Sequence, residues 1–440
     1  MRAMSDGFVG ARALRQGYEA YREFVSPLIA LRAELLGDPY QVAAAHGDTL
    51  VTLDGVEACD LIAGWGTQAF GHRPPHVVQA LTELLASPVP TFSTSGVSPT
   101  AGLLAERLCA RTGYQRAWFA SGGTEAVEAA LKLARAATGR PRVLYLEGAY
   151  HGCSFGSVSM MHRGPFRDPF APHLPAVEAL PFGDVAALAA ALGPDVAAVV
   201  VEPVQVESGV RAMPPDYVAA LGSLTARAGA LLVVDEIQTG LGRTGHLLAS
   251  ASWPRQPDAV VLGKALGGGV VPLSALLTSR ALHDAAYGSH QRADAHNSTF
   301  GGNALACVAG LAALDLLDEA LLARVRAVGE RFRAALADAL AGSPLVEAVV
   351  GDGLLAGLRL RGSDHPWHTF GYLGIDDMGD GSAVAFLLAH RLFRAGWVTA
   401  VCGHNLTTLR LSPPLTIAED KLGAFVSVCR REVEYLCQLA

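Results

Sequence analysis

The sequence predicts an α/β protein, with a large domain built on a mostly parallel, doubly wound sheet and a smaller α+β domain beside it. Three observations carry this. From about Pro74 onward, helical stretches alternate with short apolar runs at 117–120, 143–146, 197–201, 231–234, 259–262 and 274–278. Such alternation builds parallel sheets through helical crossovers. The runs are rich in Val, Leu and Ala and lack polar alternation, the pattern of strands covered on both faces. Finally, 440 residues exceed one ordinary core, so two domains are expected, and an apolar content of 51% suffices to fill them.

The elements follow in order. An amphipathic helix is expected over 18–36. After it comes a hairpin over 49–59, turning on Asp54-Gly55, a pair suited to the positive φ angles of a tight turn. Residues 1–73 are assigned to an N-terminal segment that joins the small domain, 74–322 to the large domain and 323–440 to the C-terminal small domain. A long helix starting at Ala304 and running into the region of Arg324 leads away from the sheet. The stretch 362–381, rich in glycine, aspartate and aromatics, reads as a long loop. No internal repeat is evident.

Composition removes several function classes. The formal charge of −7 and the lack of a basic block argue against nucleic acid. The longest apolar candidate, 185–201, is interrupted by Gly193-Pro194-Asp195, so no membrane span is expected. Seven scattered cysteines, with no Cys-x-x-Cys, suggest neither a disulfide framework nor a metal site. The N-terminus, Met-Arg-Ala-Met-Ser-Asp, lacks an apolar signal core, which points to the cytoplasm.

Within this frame the lysines stand out, because there are only three among 34 basic residues. Arginine holds its proton at ordinary pH; lysine can lose it and act as a nucleophile. Lys132 follows Glu128 at helical spacing and reads as half of a surface ion pair. Lys421 follows Glu419 and Asp420 near the C-terminus and looks ordinary. Lys264 closes the run 259–262 and opens a glycine-rich turn, where α/β enzymes place their chemistry. Asp235 ends the run 231–234. An aspartate at one strand end and a lysine at the end of a later one suggest a pyridoxal phosphate (PLP) site, the lysine holding the aldehyde and the aspartate a protonated pyridine nitrogen. Alone, such an aspartate is more often a helix cap or structural ion pair.

Other segments supply what that site needs. Ser121-Gly-Gly-Thr124-Glu125 offers backbone N–H groups and hydroxyls at a helix N-terminus, suited to phosphate, although a plain helix cap has the same look. Tyr150-His151-Gly152 follows an apolar strand, and its aromatic is either a ring stacked on a cofactor or a core residue. Gly240-Leu-Gly242-Arg-Thr-Gly245 matches a dinucleotide fingerprint by letter, but no clear helix follows it and no ribose-binding acid ends a later strand.

Taken together, these segments resemble the class III (ω-amino acid) aminotransferases of PLP fold type I, from about residue 47 to 417. The resemblance rests on Gly71-His-Arg-Pro74, the region 121–135, Tyr150-His-Gly152, Val201-Glu-Pro-Val-Gln205, 232–245, 262–269, Ser298-Thr-Phe-Gly-Gly-Asn303 and Leu409-Arg-Leu-Ser-Pro-Pro414. It implies that Lys264 carries the cofactor aldehyde, Asp235 pairs with the pyridine nitrogen and Gln238 contacts the ring hydroxyl. Ile237 and Tyr150 sandwich the ring, and Gly123 and Thr124 bind phosphate. Thr299 adds a hydroxyl from the neighbouring subunit, which implies a homodimer with shared active sites. Arg410 is implied to fork onto a substrate carboxylate. Glu207 masks that charge while an amine lacking a nearby carboxylate binds. Trp65 lies near the substrate-binding loop.

Some positions depart from the pattern. Cys153 replaces the arginine of ornithine- and acetylornithine-type relatives, which disfavours a second anchored carboxylate. Val206 replaces a small glycine before Glu207, and Gly122 stands where a phosphate-facing hydroxyl is common. The resulting expectation is a PLP-dependent transaminase moving an amino group from a terminal amine to an oxo acid such as 2-oxoglutarate, ping-pong through pyridoxamine phosphate. A mutase, epimerase or decarboxylase of the same fold uses the same lysine and aspartate and stays open, as does, more distantly, a non-catalytic PLP-binding homologue.

Overall fold

A computed structural model describes residues 9–36, 41–93, 97–371, 375 and 381–439. The first strands are β1 (Val42–His46), β2 (Thr49–Thr52) and β3 (Glu57–Asp60). The expected hairpin is β2–β3, antiparallel with Val51 opposite Glu57. β1 adds a further antiparallel strand through Gly47, whose φ of +54° suits the tight turn.

The next strands are β4 (Arg116–Ala120), β5 (Arg142–Leu146), β6 (Val177–Leu180), β7 (Val196–Val201), and the short pair β8 (Val204–Gln205) and β9 (Arg211–Ala212). They are followed by β10 (Leu231–Asp235), β11 (Ala259–Leu262) and β12 (Ser274–Thr278). Seven of them form one sheet in the order β4-β12-β11-β10-β7-β5-β6. β12 runs antiparallel to both its neighbours and the remaining pairings are parallel. All six apolar runs of the sequence are strands here. Their side chains alternate between two cores: Val199, Val201, Leu232, Val234, Val260 and Leu262 face one, and Ala198, Val200, Val233 and Val261 the other. That two-sided burial explains why the runs carry no polar alternation.

The chain then supplies β13 (Val346–Asp352), β14 (Leu355–Leu360), β15 (Trp397–Val398), β16 (Ala400–Val401) and β17 (Thr408–Leu411). A four-stranded sheet has the order β13-β14-β17-β16, and β15 completes the N-terminal sheet by pairing parallel with β3. No helix among the described residues is long and apolar enough to cross a membrane.

Two expected helices are each divided. The span 18–36 belongs to two helices, Ala11–Phe24 and Pro27–Leu36. Pro27 has no N–H to continue the first helix, which closes with Val25 N–H on Tyr21 O at 3.0 Å; proline instead opens the second. The long helix from Ala304 ends at Asp315, and a separate one covers Glu319–Ala339. Asp318 starts it by accepting the Leu321 N–H at 2.7 Å. Part of the expected loop 362–381 lies outside the described residues (372–374 and 376–380). Its described portion includes a short 3-10 turn at Pro366–His368 and a bridge between Thr369 and Ser382.

The Glu128–Lys132 ion pair is not formed. Glu128 turns inward and accepts the N–H groups of Gly156 (2.8 Å) and Ser157 (3.1 Å), while Lys132 donates to Ala295 O at 3.1 Å and meets His296 Nδ1 at 3.0 Å. Exposed ion pairs are instead held largely by arginine, as in Arg331–Glu419 (2.8 Å), Arg142–Asp195 (3.1 Å) and Arg430–Glu434 (2.7 Å). Lys421 pairs with Asp48 at 2.5 Å. The Gly240–Gly245 motif serves packing. A Cβ on Gly242 (φ +91°) would stand 2.8 Å from Leu317 Cδ2 and 2.9 Å from Leu415 Cδ1.

Candidate active site

Five turns converge at the carboxyl ends of the parallel strands, where open α/β sheets bind ligands. The turn after β4 brings Gly123 and Thr124, that after β5 brings Tyr150, His151, Gly152 and Cys153, and that after β7 brings Glu202. Asp235, Ile237 and Gln238 come from the end of β10, and Lys264 follows β11. Together they line one cavity of about 320 Å³. Seven of the expected catalytic and cofactor-binding residues meet there. Thr299 does not: it is exposed in a turn away from this cavity.

Lys264 is held in the left-handed region, φ +46°, at the start of a 3-10 turn (Lys264–Gly267). A non-glycine residue there costs on the order of 1–3 kcal/mol, strain typical of positions fixed for function. Burial and the Arg410 charge pull its ammonium down to about 8, against the opposing pull of Asp235, Glu207 and Glu202. About a tenth of the amine is therefore neutral at pH 7, where an ordinary lysine is almost wholly protonated, and only the neutral amine is a nucleophile.

Each oxygen of Asp235 has one partner among the described residues. Its Oδ1 accepts the Ile237 N–H at 3.0 Å, and its Oδ2 lies 2.8 Å from His151 Nδ1. His151 is buried. Burial pulls its pKa down, but the Asp235 hydrogen bond and charge, with the Glu202 charge, carry it above its ordinary value. Its Nε2 has no hydrogen-bond partner among the described residues. Glu202 accepts the Tyr150 N–H at 3.1 Å, and burial pushes its carboxyl up to about 8. In the sequence both residues sit inside recognisable motifs without a role for either. The His151–Asp235 pair spans 84 positions, so only the fold brings it together.

The expected phosphate site lies at the start of the helix Gly123–Thr138. Glu125 caps it, its Oε2 accepting the N–H groups of Gly122 (2.7 Å) and Ser121 (3.2 Å). Thr124 Oγ1 meets Ser157 Oγ at 2.7 Å and Ser154 Oγ at 2.5 Å. These serines add hydroxyls that no sequence motif signals. Glycines permit the close approach: a Cβ on Gly123 would lie 2.7 Å from Ile237 Cδ1, and one on Gly152 (φ +112°) 2.6 Å from Thr124 Cβ. Tyr150 lies across the cavity, its hydroxyl 3.5 Å from Cys153 Sγ.

Beside the cavity lies the expected gate. Arg410 Nη1 donates to Glu207 Oε1 at 2.6 Å; the arginine side chain is 1% exposed, and its Nε and Nη2 have no hydrogen-bond partner among the described residues. Gln238 joins them, its Nε2 3.5 Å from Glu207 and its Oε1 3.4 Å from Arg410 Nη1. Burial raises the Glu207 carboxyl, but the Arg410 charge, the Gly403 N–H and the Lys264 charge outweigh this and hold it below its ordinary value. Trp65 covers the Arg410 guanidinium at 4.5 Å from the ring centroid, a cation–π contact. Its loop is strained into place, with Ala63, Gly64, Trp65 and Gly66 all at positive φ.

These residues fit PLP. The amine, the carboxylate, the helix N-terminus and two flanking side chains correspond to its aldehyde, pyridine nitrogen, phosphate and ring faces. A model of the family "Aminotransferase class-III" matches residues 36–431. The chain is 34% identical to "Aminotransferase PigE" of a Serratia species, over 93% of this chain; it spans only about half of that relative, 52% of its length. It is 35% identical to "Putrescine aminotransferase" of Pectobacterium atrosepticum, covering 91% of this chain and 85% of the relative. Among solved structures, a PLP-bound amine transaminase from an uncultivated Pseudomonas species superposes with a TM-score of 0.79 at 30% identity, over 90% of this chain and 94% of the other.

Proposed function

This chain belongs to the class-III aminotransferases, and from that premise we propose that it transfers the terminal amino group of an ω-amine to a dicarboxylic oxo acid such as 2-oxoglutarate. Its cofactor is pyridoxal 5'-phosphate. The observation that carries the substrate reading is the buried Arg410–Glu207 pair at 2.6 Å. A buried guanidinium left unpaired costs about 3–5 kcal/mol. Glu207 prevents that cost when the donor has no carboxylate to offer, and yields when a dicarboxylate arrives. The putrescine relative and the amine transaminase relative are consistent with such a donor. Cys153, in place of an arginine, leaves the far end of the donor without a second carboxylate anchor.

When bound, the cofactor supplies an aldehyde that accepts amino groups and a ring that withdraws electrons from the substrate carbon. The protein does the rest. Gly123 and Thr124 hold the phosphate, Ile237 and Tyr150 confine the ring faces, and Gln238 reaches the ring hydroxyl. Asp235, oriented by Ile237 N–H and His151, keeps a proton on the pyridine nitrogen. Lys264 Nζ would hold the aldehyde, and as a free amine it would act as the general base that takes a proton from the amine-bearing carbon of the substrate and as the acid that returns one. Arg410 and Trp65 orient the oxo acid.

The purified yellow protein, mixed with an amine panel and no oxo acid, is expected to bleach with terminal amines and with glutamate. A colour that persists with every donor would favour a mutase, epimerase or decarboxylase. Glu207→Ala is expected to lower the bleaching efficiency of terminal amines about 10–100-fold while changing that of glutamate less than about threefold. Equal losses for both donors would remove the gate.

We further propose that the protein works as a cytoplasmic homodimer in which Thr299 completes the partner's phosphate site. Thr299 is exposed, as are the nearby Phe92 and Phe300, a pattern suited to burial against a second copy. Sedimentation should give about twice the 45.8 kDa chain mass. Thr299→Ala should weaken PLP retention several-fold without changing that mass; a monomer with full activity would overturn the shared site.

A further inference from the structure

Glu207 is gripped by more than Arg410. It sits at the turn joining β8 and β9, and that hairpin docks on the β16–β17 hairpin that also carries Arg410. Two consecutive N–H groups of the second turn reach it: Gly403 N–H donates to Glu207 Oε2 at 2.9 Å, and His404 N–H to the Glu207 carbonyl at 2.9 Å. The carboxylate is thus divided, Oε1 on the arginine and Oε2 on the backbone.

The hairpins themselves are locked together. Val204, Val206, Val210, Leu355 and Cys402 form a buried apolar cluster beneath them. Arg359 Nε donates to Gly209 O at 3.0 Å, and a Cβ on Gly209 would stand 2.9 Å from Asn405 Nδ2. The turn is also braced internally, since Asn405 Oδ1 accepts from Thr407 N–H (3.2 Å), Thr407 Oγ1 (3.0 Å) and Thr408 Oγ1 (3.0 Å). With both backbones fixed, the Glu207 side chain is the part free to move.

Position 403 is shaped for that part. A Cβ there would meet one neighbour within 4 Å, Glu207 Oε2 at 3.2 Å. Gly403 is not at positive φ, so backbone conformation does not demand glycine. Space for the carboxylate does.

We propose that Gly403 is a specificity-determining position, its N–H serving as the fixed pivot about which Glu207 turns away from Arg410 when the oxo acid binds. This rests on the gate reading of Glu207 given above. Keeping Oε2 on Gly403 N–H lets the carboxylate release the guanidinium without abandoning every partner in a desolvated site. Opening then sacrifices one charge-assisted hydrogen bond while the other persists. The absent side chain sets where the carboxylate rests, and so the balance between the amine and oxo-acid half-reactions.

The test is Gly403→Ala in the holoenzyme, alone and combined with Glu207→Ala, with each half-reaction followed separately by absorbance. Crowding Oε2 should raise the KM for a terminal amine roughly threefold to tenfold, while the KM for the oxo acid, supplied as 2-oxoglutarate, stays level or falls. Calorimetric binding of glutarate, a dicarboxylate that cannot react, should tighten. In the Glu207→Ala background the added methyl meets nothing, so Gly403→Ala should have no further effect, and that pair also reports if the single variant folds poorly. If Glu207→Ala separates the two donors but Gly403→Ala harms both half-reactions alike, or still acts without Glu207, the pivot is wrong and the gate stands. If Glu207→Ala fails to separate them, gate and pivot fall together.

Discussion

Lys264→Ala is expected to leave a folded protein that has lost its yellow colour with bound PLP and whose transamination falls by about 10⁴-fold or more, beyond the contribution of one general acid–base group because the nucleophile is lost as well. The other lysines offer no substitute, since Lys132 and Lys421 hold contacts outside the cavity. The native amine also makes a pH prediction. With its value lowered to about 8, Lys264 is protonated at low pH and becomes nucleophilic as pH rises through that value. Capture of added PLP by cofactor-free protein should therefore accelerate with pH and level off near pH 8 to 9. An unperturbed lysine would keep accelerating toward about 10.4. Stopped-flow absorbance across this range decides between them, and transamination surviving in Lys264→Ala would discard the assignment outright.

Asp235→Asn is the second large effect. Asparagine retains an oxygen for the Ile237 N–H but loses the charge proposed to pair with the pyridine nitrogen, and its amide cannot reproduce the carboxylate's acceptance from His151 Nδ1. Loss of one such preorganised electrostatic group costs about 10²–10³ in kcat. The expected signature is a protein that binds PLP and still forms the coloured complex, yet bleaches slowly with every donor. His151→Asn should follow in the same direction with a smaller loss, because it acts through Asp235. A uniform fall in PLP affinity with normal bleaching would assign Asp235 to holding the cofactor only.

Much of this was legible in the sequence, for identifiable reasons. That Lys264 and Asp235 would meet at the strand ends could be read because a strand buried on both faces leaves a conspicuous apolar run, and each of these residues closes one. β6 escaped notice because Glu178 interrupts a short edge strand that is only partly buried. The two over-long helices each contained their own stop signal, Pro27 and Asp318, which apolar periodicity overran. Glu128 and Lys132 had ideal helical spacing, but two N–H groups after Ser154 claimed the carboxylate. Pairings across the sheet, such as His151 with Asp235, leave no local trace. The grip of Gly403 on Glu207 leaves still less, since it is made by a backbone N–H that every residue but proline possesses.

The arginine-held ion pairs on the surface have a consequence for the capture of an aldehyde cofactor. An aldehyde condenses with lysine amines, and a lysine-rich exterior would present it with many of them. Guanidinium groups keep their protons to beyond about pH 12. The exposed pairs Arg331–Glu419, Arg142–Asp195 and Arg430–Glu434 therefore present no free amine to an aldehyde. With only three lysines in the chain, two of them holding contacts outside the cavity, an aldehyde cofactor meets few amines that compete with Lys264.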